Sequence, residues 1–142
     1  MKIQLFALFA SLLILASQVT ADEIRAEAVK QAFADKSFEI AGEQATRSLE
    51  SKGLAQSDSE EIVRAGFLDV SSCLVDAALA QAEVESVPVG DVLDAIEVSV
   101  SELGGTPSDD RLARGLLDED ALGQIAEPCL LEAAQRMGVA AD

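Results

Sequence analysis

The chain predicts an all-α fold: a small helical bundle of about five to six helices, stapled by one disulfide. Three observations predict it. Apolar residues recur three and four apart, the spacing of one face of a helix, and no stretch alternates cleanly as a half-buried strand does. Alanine, the strongest helix former, supplies 20 of the residues from 22 to 142. Proline, which cannot sit in a helix interior without cost, is limited to Pro88, Pro107 and Pro128. At 142 residues the length suits one domain, because two would each have a marginal core.

The first 21 residues read as an export leader. Lys2 supplies a positive charge, Ile3 to Ala16 is apolar apart from Gln4 and Ser11, and Val19-Thr20-Ala21 offers the small residues a signal peptidase accepts. Cleavage is expected after Ala21. The apolar run is too short for the roughly 20 residues of a membrane helix. No later segment is long and apolar enough, so no membrane span is expected in the mature form. The expected destination is the periplasm or the extracellular space, with a Gram-negative periplasm preferred. Residues 22–142 then form a single acidic helical domain, with a candidate hinge at 104–107.

The elements follow in order. A helical region runs from about Glu23 to Lys52, with Ile24, Ala28 and Ala32 on one face beside Val29 and Phe33. Ile40, Ala41, Ala45 and Leu49 continue an apolar face, Ser37 is a candidate break, and Gly53 is placed to end the region. Ser57 with Glu60 fits a capping box. It opens a helix over about Ser59 to Glu85, whose face is Ile62, Val63, Gly66, Phe67, Val70, Leu74, Ala77 and Ala78, with Cys73 on it. Pro88 marks a turn. The next helix begins near Val89 and carries Val92, Leu93, Ile96, Val100 and Leu103. Gly104-Gly105-Thr106-Pro107 breaks the chain. Ser108 can cap a short helix to Leu117, with Leu112 and Leu116 inward. Asp120 can cap the last helix, which uses Leu122, Ile125, Ala126, Cys129, Leu130, Ala133 and Met137. Pro128 is expected to kink or restart it, and Gly138 to end it.

Cys73 and Cys129 are the only cysteines. An even pair in an exported chain reads as a disulfide, worth about 3–4 kcal/mol in the chain-entropy account. A redox pair would sit closer in sequence, with one thiol acidified. The two surroundings look alike: Cys73-Leu74-Val75-Asp76-Ala77-Ala78 and Cys129-Leu130-Leu131-Glu132-Ala133-Ala134. The match stops after one or two turns, which favours a shared packing demand over a duplication.

Charge narrows the function. Aspartate and glutamate number 26 against 10 lysines and arginines, for a net charge of −16. Without the leader the balance is 9 basic to 26 acidic, or −17. Such a surface repels polyanions, so nucleic acid is not an expected partner. Glu43–Arg47, Glu60–Arg64, Asp110–Arg114 and Glu132–Arg136 are spaced four apart with the acid first, the favourable order on a helix. Those arginines are therefore expected to be occupied. Three acidic groups could offer oxygen ligands to Ca²⁺: Asp58, Glu60 and Glu61; Asp91, Asp94 and Glu97; Asp118, Glu119 and Asp120. Asp118 to Gly123 resembles an EF-hand loop only at its start. The fifth and twelfth positions are Leu122 and Cys129, which offer no oxygen. A solvated helix face is the preferred reading of all three groups, and no metal or cofactor is expected. No histidine is present to serve as a base, and no tryptophan or tyrosine to stack a sugar. An enzyme is not expected. The apolar interior, including Phe33, Phe67 and Met137, could alternatively hold a small apolar ligand between helices.

In class alone the chain resembles periplasmic acid-stress chaperones and small helical carrier proteins. No motif carries either resemblance, so no residues are transferred. The leading expectation is an exported, non-catalytic helical protein that acts by binding another protein, with a basic partner favoured by the surface charge. The alternatives are a carrier of a small apolar molecule and an acid-responsive periplasmic chaperone.

Overall fold

A computed structural model describes residues 20–104 and 119–136. Among these residues the protein is all-helical, with four helices: α1 (Ala21–Glu50), α2 (Gln56–Glu85), α3 (Val89–Glu102) and α4 (Glu119–Arg136). The expected leader lies almost wholly outside the described residues. So do most of the 104–107 hinge and the whole short helix expected after Ser108.

The count falls below five to six partly because α1 does not break at Ser37. A serine inside a helix costs only a few tenths of a kcal/mol relative to alanine. Buried positions continue on both sides of it, at Ala34 and Gly42, so packing carries the helix through. The α1 N-terminus is closed by a capping box. The Thr20 hydroxyl accepts from the Glu23 N–H at 3.2 Å, and the Glu23 carboxylate accepts from the Thr20 N–H at 3.2 Å. The box expected at Ser57 and Glu60 is not formed. Helix α2 starts earlier, with Ala55 at its cap and no side-chain cap bond. Glu60 instead holds Arg64, while Ser59 is wholly buried.

Helices α1 and α2 form an antiparallel hairpin, because only five residues connect them. Lys30 meets Asp76 and Phe38 meets Phe67 along it. The α1 face turned inward is Ala26, Val29, Lys30, Ala34, Gly42, Thr46 and Leu49. The expected face was partly out of phase: Val29 and Leu49 are buried as expected, but Ile24, Ala28, Ala32 and Ile40 are exposed. Small residues let the two long helices approach closely, and bulky Ile24 and Ile40 are turned away. Lys30 occupies a core slot with its alkyl stem and sends its amine out to Asp76 (2.7 Å) and Glu27 (2.8 Å). On α2 the deepest residues are Ser59, Val63, Gly66, Ser71, Val75, Ala78 and Ala82. Ile62, Phe67, Val70, Leu74, Ala77 and Cys73 are half-buried beside them.

Helix α3 folds back onto one end of the hairpin. Its Leu93 is buried with Ala26, Val29 and Val75, and its Val92 with Ala78 and Ala82. Helix α4 lies on α2 and passes through Pro128 without a break in assignment. Cys129 and Ala133 are its buried contacts, whereas Leu130, expected inward, is 54% exposed. The Cys73–Cys129 disulfide, with Cα atoms 5.7 Å apart, closes a loop with a sequence separation of 56. Helix α2 is thus the central element, touching each of the other three. The similar cysteine segments sit differently: Val75 is buried where Leu131 is exposed, and Asp76 pairs across helices where Glu132 pairs within one.

Candidate functional site

The surface is organised by ion pairs. Three of the four expected helical pairs form: Glu43–Arg47, Glu60–Arg64 (2.9 Å) and Glu132–Arg136 (2.6 Å). The fourth, Asp110–Arg114, lies outside the described residues. Sequence spacing missed the pairs that join helices. Arg25 of α1 reaches α3, where its guanidinium donates to both oxygens of Glu97, at 3.0 and 2.9 Å, and to Asp94. Lys30 joins α1 to α2 through Asp76, and Arg136 joins α4 to α2 through Asp69 at 2.8 Å.

These contacts shift the groups that make them. Hydrogen bonds donated by Arg25 hold the Glu97 carboxyl below its usual range, and donating to Glu97 and Asp94 raises Arg25. Burial pulls the Lys30 amine down, but Asp76 and Glu27 outweigh it and hold the amine above its ordinary value. Asp69 and Glu132 raise Arg136.

Arg25, Lys30, Lys36, Arg47, Arg64 and Arg136 are all held by carboxylates, and Lys52 is also engaged. No basic side chain among the described residues is free. The acids are in surplus. Of the acidic groups singled out in the sequence, Asp94 and Glu97 are spent on Arg25, and Glu60 on Arg64. Asp58 accepts from the Ser57 hydroxyl at 3.4 Å. No described cation pairs with Glu61 or Asp91. Asp118 and the side chains of Glu119 and Asp120 lie outside the description. Among the described residues no three acidic or cysteine side chains converge on a point where a metal ion would sit.

Two open clefts flank α1. The first, about 530 Å³, lies between α1 and α2 and is lined by Gln31, Asp35, Phe38, Glu61, Arg64 and Leu68. Its aromatic wall is built in layers. Gly42 leaves room for the Phe38 ring one turn away, Phe67 meets that ring edge-on at 6.4 Å, and the Arg64 guanidinium lies 3.7 Å from its centre. The second, about 750 Å³, is bounded by Ile24, Glu27, Lys30, Asp76, Leu79 and Val89. Both have apolar floors and charged rims. Val84, Leu130 and Leu131 are further apolar side chains that project into solvent. No helix among the described residues is long and apolar enough to cross a membrane. No protein-family profile, curated protein or solved structure matches the chain.

Proposed function

We propose that the protein is an exported, non-catalytic helical module that works by binding another protein with a basic surface. One observation carries this reading. Every described cation is already engaged within the molecule, while carboxylates such as Asp35, Glu61, Glu83 and Asp91 have no cation partner among the described residues. An acidic surface of that kind attracts a basic partner and speeds its encounter. The leader pattern and the disulfide support export. The lack of histidine supports a non-catalytic role. The charged rims of both clefts suit them poorly to enclosing an apolar molecule.

A second reading, the acid-responsive chaperone, draws support from the Arg25 latch. Glu97 makes its two bonds to Arg25 only while ionised, so acid would loosen the cover over Val29, Val75 and Leu93. Suppression of client aggregation at low pH is the observation that would favour it.

The deciding experiment is a native mass spectrum of the mature protein, purified unreduced from its export compartment at low salt after mild crosslinking in place. The expected result is a complex with a second, basic polypeptide, which without crosslinker dissociates as ionic strength rises. A bare chain under all conditions would overturn the reading. A retained small apolar molecule would replace it with the carrier.

A further inference from the structure

We infer that the α1–α2 cleft is the docking site, and that its occupant is an arginine-bearing segment of the partner protein. This rests on the protein-binding reading above and names its surface. Asp35, Glu60 and Glu61 line the cleft with a single cation, Arg64. Arg64 is already committed to Glu60, at 2.9 Å. Gln31 donates to Asp35 at 2.9 Å, a neutral contact that leaves its charge in place. Two carboxylates therefore face the cleft without a counter-charge, in a molecule whose described cations are all engaged elsewhere. No described cation is left to neutralise them, and a cation brought by a partner can.

The floor decides what kind of cation. Ala34, Phe38, Ala65 and Leu68 are apolar, and Leu68 is partly open to solvent. A hydrated metal ion gains nothing from such a floor. A side chain with an aliphatic stem and a charged head gains from both. Arg64 displays the fit: its guanidinium lies on the Phe38 ring while a carboxylate holds it from the side. A partner arginine can place its head on Asp35 and Glu61 with its stem along Leu68. The planar guanidinium suits this better than a lysine ammonium, because its fixed fork of donors can bridge two carboxylates.

The test uses a short dye-labelled peptide of alternating arginine and leucine, followed by fluorescence anisotropy against the unreduced mature protein in about 50 mM salt. Asp35→Asn/Glu61→Gln should weaken binding about tenfold, the scale of one or two charge-assisted contacts. Glu83→Gln/Glu127→Gln removes the same charge outside the cleft and should change binding less than about twofold. All four side chains are exposed, and circular dichroism checks that each variant keeps its helicity. Equal weakening by both pairs would overturn the cleft and leave a general acidic attraction, with the protein-binding reading intact. No binding by the unmodified protein would also overturn the cleft, while a complex in the native spectrum would still uphold the function. Selective loss in the cleft variant without any such complex would uphold the cleft and sink the function.

Discussion

Ser86 closes α2 in the left-handed region, with φ 57°, where a side chain strains the backbone. Its N–H donates to Glu83 at 3.3 Å, and the Val87 N–H reaches back to Ala82 at 2.8 Å. Helix α1 ends with the same pair of bonds, from Gly53 to Glu50 and from Leu54 to Leu49, and there glycine takes the left-handed position at φ 95°. Ser86→Gly should therefore stabilise the fold by about 0.5–1 kcal/mol, read as a higher denaturant midpoint at unchanged slope. Gly42 is the opposite case. A Cβ there would stand 2.6 Å from Phe38 Cδ2 and 2.8 Å from both Cε2 and Cγ, so a whole edge of the ring is in the way. Arg64 and Phe67 hold that ring from other sides. Alanine gains about 1 kcal/mol in helix propensity, but overpacking a fixed ring costs about 1–3 kcal/mol. Gly42→Ala should be net destabilising. Gly90→Ala, with nothing within 4 Å of the new carbon, should be mildly stabilising. Thermal melts of the two variants should move in opposite directions. If both rise, the Phe38 ring is free to swing and the cleft wall is not fixed.

The latch between α1 and α3 sets a pH dependence. Arg25 lowers the Glu97 pKa below its ordinary 4.5, so the folded chain holds that proton less tightly than the unfolded chain. The stabilisation is complete above about pH 4.5 and is lost as pH falls through the lower folded value. Mild acid also relieves self-repulsion across the whole molecule, so the informative quantity is a difference between two proteins. Glu97→Gln should melt lower than the parent near neutral pH, and the gap should close as pH falls through the lowered folded value. A gap that stays constant would mean that Glu97 acts by packing alone. This latch also shows where the sequence stops being legible. Pairs within one helix, such as Glu60–Arg64, follow from spacing. Arg25 and Glu97 are 72 residues apart, and only the tertiary register brings them together. The helix class, the ends near Gly53 and Pro88, and the cysteine pairing were readable from local chemistry. The phase of α1 was not. Alanines lie on several of its faces, so Ile24 and Ile40 drew the predicted stripe toward the side that the fold leaves in solvent. The cleft was hidden for the same reason, since Phe38, Glu61 and Leu68 become neighbours only once α1 and α2 are docked in register.

At the scale of the whole molecule, 26 carboxylates outnumber 10 basic side chains, six of which form described ion pairs, and salt affects repulsion and pairing unequally. The ion pairs operate at contact distance, well inside the Debye length of about 8 Å at physiological ionic strength, and each is worth at most about 1 kcal/mol. The repulsions among surplus carboxylates act over longer distances. They are felt across the molecule in about 0.01 M salt, where the Debye length is about 30 Å, and are largely cut off in about 0.15 M. Salt therefore removes more repulsion than attraction. The melting temperature should rise by a few degrees over that range, equivalent to about 1 kcal/mol. A flat or falling curve would mean that long-range repulsion does not limit the fold. The same screening weakens attraction between this surface and a basic partner. One titration should thus move the two quantities apart, with stability rising and affinity falling. If both fell together, loss of binding would reflect unfolding, and the acidic surface would lose its claim as the recognition element.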